Sequence, residues 1–424
     1  MSGPDWVARG QRVLARGVTS SARERTVPLI LTRALGGRVQ DVEGRWLVDL
    51  VNGLGPVILG HADPRVSAAV QEQLDRGVLF GNHPGEIRLA EILAERLPWA
   101  EKTCLLSSGS EAVNLALRIA RTTTRRDLIV KFEGQYHGWI DPMYVSLQGA
   151  APAVDEGPTP LSAVPGVPGA AMDPSIVVLR WNDLAALEQL FTAVGDRIAA
   201  VILDPIAVGV GMPDIDLPFL SGLRQLCTEH GSILIFDEVL TGFRVSPRGA
   251  AGLIEIEPDI AVYAKAMANG FPVSAVCGRH WAMASIADGP LRPAGTYNGS
   301  PISVAASIRT LELLDEPCYQ ALEERGAQLA DGLRSVGIAY SLPLHVRRRG
   351  SILQLMWSPL EPVRDHREVT SSDLGAIARL CEGAFSGGAL AAPRGLLIVN
   401  AAHSAADIDT AIAAFAASAR EMSA

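Results

Sequence analysis

Between residues 85 and 310, short and almost wholly apolar runs alternate with helix-patterned stretches, and this alternation restricts the fold more than any other feature. The runs are KTCLL (102–106), LIVKF (128–132), SIVVL (175–179), AAVILD (199–204), SILIFD (232–237), IAVYAK (260–265) and VSAVCG (273–278). A strand that is apolar on both faces must be covered on both faces. That is the condition of a strand in a parallel sheet flanked by helices, so all seven read as buried parallel strands.

With 424 residues the chain exceeds one small core and suits a large domain with a smaller companion. After a short amphipathic helix, the segment 1–60 looks β-rich. RVQDVEGRWLVDLVNG (38–53) reads as two strands about a turn at Glu43 and Gly44. The segment 311–424 returns to helices, with SILQLMW (351–357) as an apolar strand. The expected division is a large α/β domain over 61–310 and a small α+β domain assembled from 1–60 and 311–424. One stretch, GAAPAVDEGPTPLSAVPGVPGAA (149–171), carries five prolines and reads as a long ordered loop or lid.

Composition excludes several functions. A formal charge of −9 leaves no basic surplus to neutralise phosphates, so neither nucleic acid nor an anionic membrane is an expected partner. Runs such as IAAVILD (198–204) are far too short to span a bilayer, and the N-terminus has no apolar signal core. The five cysteines (104, 227, 277, 318, 381) are odd in number and scattered. They offer no disulfide frame and no metal-ligand spacing, which points to reduced thiols in the cytoplasm and to no bound metal.

Five places carry candidate chemistry. In LLSSGSEAVNLALRIAR (105–121) an apolar strand ends in Ser107-Ser108-Gly109-Ser110, and a helix follows with Val113, Ala116, Leu117 and Ala120 on one face. Amides at such a helix start suit an anion such as a phosphate, although a plain serine-capped turn has the same pattern. In SILIFDEVLTGFR (232–244), Asp237 and Glu238 close a strand that reads as buried. A carboxylate there requires a cation or strong donors; a protonated pyridine nitrogen, a helix cap or an ion pair with Arg244 would each serve. Lys265 ends the next apolar run before small residues and Gly270. A buried lysine has a lowered pKa suited to Schiff-base chemistry, whereas a surface lysine would be ordinary. FEGQYHGW (132–139) places Tyr136, His137 and Trp139 after a strand, where an aromatic could stack on a planar cofactor or simply pack the loop. PAGTYNGSPISVAA (293–306) is a Gly/Thr/Asn turn into a helix capped near Ser300.

Singly each is ambiguous. Their order, with FDEVLTGFR and KFEGQYHGW most specific, resembles the class III aminotransferases, which are fold-type-I pyridoxal-phosphate enzymes, and among them the glutamate-1-semialdehyde aminomutase branch. The resemblance implies a mostly parallel central sheet with helices on both faces plus the smaller domain, and pyridoxal 5′-phosphate as cofactor. It implies that Lys265 forms the Schiff base and shuttles protons, and that Asp237 binds the pyridine nitrogen. Tyr136 would cover one ring face with His137 beside it, and Gly109 and Ser110 would hold the phosphate. Thr296 would reach the phosphate of a partner subunit, making a homodimer with shared sites.

Departures from the branch bear on substrate. Asp204-Pro205 replaces a Glu-Pro pair; Ala207 matches the branch, and Gly209 stands where other members place a glutamate. An arginine, a tryptophan and a glutamate of the aminomutase align, without gaps, with Thr19, Leu54 and Gly395. Arg23, Arg25, Arg33 and Arg394 lie near enough to substitute for the arginine, or are ordinary surface residues. The expectation is ping-pong transfer from an amino donor to an oxo acceptor (an aldehyde, ketone or oxo-sugar), with negligible turnover of glutamate-1-semialdehyde. The alternatives are an aminomutase or racemase on the same cofactor, and a catalytically silent protein keeping the fold.

Overall fold

The computed structural model describes residues 3–20, 23, 29–79, 81–147, 175–358, 363–370 and 372–423. The stretch 149–171 read as a lid, and Arg25, lie outside them. The chain forms two compact units. The larger comprises 65–314 with 360–372, and the smaller comprises 1–64, 315–359 and 373–424.

The strands in chain order are β1 (Leu31–Leu35), β2 (Arg38–Asp41), β3 (Trp46–Asp49), β4 (Lys102–Leu106), β5 (Leu128–Phe132), β6 (Ile176–Leu179) and β7 (Ile198–Leu203). They continue with β8 (Ile233–Glu238), β9 (Ile260–Tyr263), β10 (Ser274–Gly278), β11 (Leu344–Arg349), β12 (Ile352–Trp357), β13 (Ala389–Leu390) and β14 (Leu396–Ile398). All seven apolar runs become strands of one sheet in the order β4-β10-β9-β8-β7-β5-β6. Every residue of β5, β7, β8, β9 and β10 is buried. Helix Gly109–Thr124 lays Ala112, Val113, Ala116, Leu117 and Ala120 on Ile129, Ile202, Ile235 and Val262. Full burial of each Val, Leu or Ile contributes roughly 1.5–3 kcal/mol.

One strand departs from expectation. VSAVCG supplies β10, which runs antiparallel to both β4 and β9. A strand buried on both faces meets the same apolar surroundings in either direction, so its composition carries no sign of its polarity. Pairs β5–β6, β5–β7, β7–β8 and β8–β9 are parallel, and β4 points the same way through its antiparallel link to β10. The residues after β4, β5, β7, β8 and β9 therefore gather along one sheet edge, the carboxyl edge where α/β folds place ligands.

The smaller unit holds a four-stranded sheet, β1-β2-β3-β13, and a three-stranded one, β11-β12-β14. Strands β2 and β3 form the hairpin expected about Glu43 and Gly44. The segment 363–370 was expected with the C-terminal portion but belongs with the larger unit. Arg367 donates to both oxygens of Glu133 at 3.0 and 2.8 Å, and Arg180 pairs with Asp365. Among the described residues no helix is long and apolar enough to cross a membrane, and no cluster of ligating side chains could hold a metal ion.

Candidate active site

The helix after β4 starts at Gly109 with Ser108 as its N-cap, whose Oγ accepts from the Glu111 amide at 3.3 Å and donates to the Glu111 carboxylate at 2.8 Å. This reciprocal cap fixes the first turn and leaves the amides of Gly109 and Ser110 without intrahelical acceptors. A Cβ at Gly109 would meet Val239 at 3.1–3.2 Å, and one at Gly138 would meet Ser110 Oγ at 2.7 Å. The turn after β5 is thereby packed directly on this helix start. The Trp139 amide donates to Ser110 Oγ at 3.3 Å. Tyr136 is 53% exposed and meets Tyr144 edge-on at 6.3 Å. Burial, then the neighbouring Tyr144, raise its phenol pKa.

Asp237, 7% exposed at the end of β8, receives the Val239 amide at 3.1 Å on one oxygen and lies 2.8 Å from His137 Nδ1 on the other. His137 is fully buried. Desolvation lowers its pKa, against the pull of Asp237, and its Nε2 is buried without a hydrogen-bond partner. A neutral ring with Nδ1–H directed at Asp237 satisfies this geometry. Lys265 opens the 3-10 turn Lys265–Ala268 after β9 at φ 41, followed by Asn269 at φ 46 and Gly270 at φ 106. A non-glycine residue in the left-handed region stores strain of about 1–3 kcal/mol, and such strain gathers at functional sites. Desolvation lowers the Lys265 pKa, while Asp237 and Asp204 draw it back up.

Larger-unit residues Gly109, Ser110, Tyr136, His137, Asp237 and Lys265 thus converge on one edge. Thr296 is exposed in the stretch before the Pro301–Leu313 helix. Glu238, the neighbour of Asp237, is structural. Its carboxylate accepts from the Ala250 and Ala251 amides at 2.9 Å and from Thr241 Oγ1. Arg23, Arg33 and Arg394 are exposed on the smaller unit, Arg33 lying over Trp46.

Asp204, noted in the sequence as a departure from a Glu-Pro pair, accepts the Ile206 and Val208 amides at 3.1 and 2.9 Å, and burial, reinforced by Asp237, pushes its carboxyl up to about 7. One residue at this edge was not singled out in the sequence. Gln135, almost fully buried, ties the turn to β7 by accepting the Asp204 amide at 2.8 Å.

This edge combines a partly buried lysine, a buried carboxylate held by histidine, an exposed aromatic ring and a helix start with unused amides. Such a set fits a planar, cationic-ring phosphate ester that reacts with amines. The comparisons agree. Residues 19–375 match the class-III aminotransferase profile, and the chain belongs to that family. Pyridoxal 5′-phosphate is its cofactor. The chain is 39% identical over 425 residues to a glutamate-1-semialdehyde 2,1-aminomutase of Anaeromyxobacter sp. (strain Fw109-5), covering 97% of each. Among solved structures, an omega-transaminase from Sphaerobacter thermophilus superposes with a TM-score of 0.93 at 31% identity, covering 99% of this chain and 97% of the other. A glutamate-1-semialdehyde aminomutase from Pseudomonas aeruginosa PAO1 gives 0.90 at 26%, covering 99% and 94%. The chain therefore has the fold-type-I architecture, a mostly parallel sheet with a separate smaller unit.

Proposed function

We propose that this enzyme is an aminomutase, moving an amino group between adjacent carbons of one substrate and returning the amine to the molecule that supplied it. The 39% identity to an aminomutase across 97% of both chains carries this reading over the expected transfer between separate donor and acceptor. The bound cofactor supplies the electron sink for the reacting carbon and carries the amino group. Lys265 binds it and moves the proton at the reacting carbon, a role suited to an amine held below its ordinary pKa. Asp237, oriented by His137, meets the ring nitrogen; Tyr136 covers one ring face; Gly109 and Ser110 receive the phosphate. The test is glutamate-1-semialdehyde supplied alone: isomer must accumulate over many turnovers with no second substrate.

Transamination stands as the second reading because of Gly395. At φ 76 a Cβ there would lie 2.8–3.0 Å from Ile377 and Leu355, so the position aligned with the aminomutase's glutamate has no room for a side chain.

Asp237→Asn keeps size and one hydrogen bond but removes the charge that holds the ring nitrogen protonated. Cofactor should remain bound while single-turnover rates fall by roughly a hundredfold or more, the scale of losing one preorganised electrostatic group. An unchanged rate would give Asp237 another role.

We further propose a cytoplasmic homodimer in which Thr296 reaches the neighbour's phosphate. The exposure of Thr296 supports the shared site, and the lack of a disulfide among the five cysteines supports the compartment. Mixing Lys265→Ala with Thr296→Ala protein should then restore activity, because each hybrid dimer holds one site with both defects and one with neither. No recovery despite proven subunit exchange would show that each site comes from one chain.

A further inference from the structure

Lys131 is the one charged residue in β5, and it is fully buried. Its ammonium donates to the carbonyls of Met143 at 3.1 Å and Val145 at 2.8 Å. A buried cation held only by neutral carbonyls is costly, and an apolar side chain of similar length would fill the same space without that cost. Burial accordingly draws its pKa down to about 7.

The position of the two acceptors suggests what the lysine does. They flank Tyr144, whose ring meets Tyr136 edge-on. The segment between β5 and Val145 is one closed loop: the Gly134 amide donates to the Ser146 carbonyl at 2.8 Å, and the Met143 and Tyr144 amides return to the Ile140 carbonyl at 3.0 and 2.9 Å. Tyr136 and His137 sit on the outgoing limb of this loop, and the carbonyls held by Lys131 sit on the returning limb. One side chain thus acts on the aromatic pair through the carbonyls.

We propose that Lys131 is a positioning residue for the cofactor-facing turn: by tethering the Met143 and Val145 carbonyls it holds Tyr144 against Tyr136. The proposal rests on Tyr136 lying at the cofactor. Lys131 touches neither substrate nor cofactor, and its effect passes through this aromatic pair.

Lys131→Met keeps the aliphatic length and removes the donors and the charge. Pyridoxal 5′-phosphate should leave the holoenzyme about 10–100 times faster than from wild type, by analogy with the loss seen when supporting partners of metal ligands are removed. One readout separates positioning from mere stability. Amide hydrogen exchange should quicken within 134–147 and stay unchanged in β7, β8 and β9. Lys131→Arg, which retains donors and charge, should recover most of the cofactor retention. Tyr136→Ala serves as the reference for the site itself. If Tyr136→Ala sheds cofactor quickly while Lys131→Met retains it like wild type, the proposal is overturned. If both retain it, the placement of the turn at the cofactor fails, and the proposal with it. Should Lys131→Met not fold, Lys131→Gln replaces it with the same expected loss; failure of both to fold makes Lys131 a core residue and overturns the proposal.

Discussion

Lys265→Ala should yield a folded protein that no longer bonds covalently to pyridoxal 5′-phosphate and whose turnover has fallen by several powers of ten. Removing the nucleophile of other covalent-catalysis enzymes costs up to about a millionfold, and here one side chain serves both attachment and proton transfer. The fold should survive because Lys265 lies in a turn at the carboxyl edge of the sheet, outside the packed apolar core. Alanine inherits the same left-handed backbone at φ 41, so the substitution neither relieves nor adds strain there. Borohydride treatment followed by peptide mass analysis gives a direct check. In wild type the reduced cofactor should be fixed to the peptide containing Lys265, and in the variant no such adduct should form, with the thermal transition little changed. Wild-type turnover in the variant, or an adduct at another lysine, would remove Lys265 from the mechanism.

The central sheet was legible because burial on both faces leaves a compositional mark: all seven apolar runs are strands of one sheet. The direction of β10 was not, since an apolar run looks the same read either way. The order of the site motifs was legible too, because parallel strands deliver their following residues to one edge. What stayed hidden were partnerships between distant segments. Gln135 reaches Asp204 across 69 positions, and Glu133 meets Arg367 across 234. The second pairing explains why 363–370 belongs with the larger unit rather than with its sequence neighbours. A signal for Lys131 did exist: a lone cation inside LIVKF is expensive wherever it is buried, and such an exception to burial rules calls for a functional explanation before a structural one.

With glutamate-1-semialdehyde as sole substrate, the holoenzyme should convert many equivalents per site to the isomer bearing the amino group on the adjacent carbon. Product identity decides the matter more cleanly than rate. An aminomutase ends each cycle with its cofactor in the form that began it, and the isomer is its sole product. The compound carries both an amine and an aldehyde, so an aminotransferase acting between separate molecules would convert the amine of one to a carbonyl and the aldehyde of another to an amine, releasing a dicarbonyl and a diamine in equal amounts. The chain's own residues make the result informative. The substrate carries a carboxylate, and burying one without a cation costs several kcal/mol. Turnover therefore requires a positive group in place of the arginine that aligns with Thr19, and Arg23, Arg33 and Arg394 are the replacements to test. Alanine at the one that serves should raise KM steeply with little change in kcat, the pattern of lost ground-state binding, while alanine at the others should leave both unchanged. Equal release of a dicarbonyl and a diamine in place of the isomer, or no conversion until a separate amino donor or acceptor is supplied, would overturn the aminomutase reading. It would return the enzyme to transamination, for which Leu54 and Gly395 had already spoken.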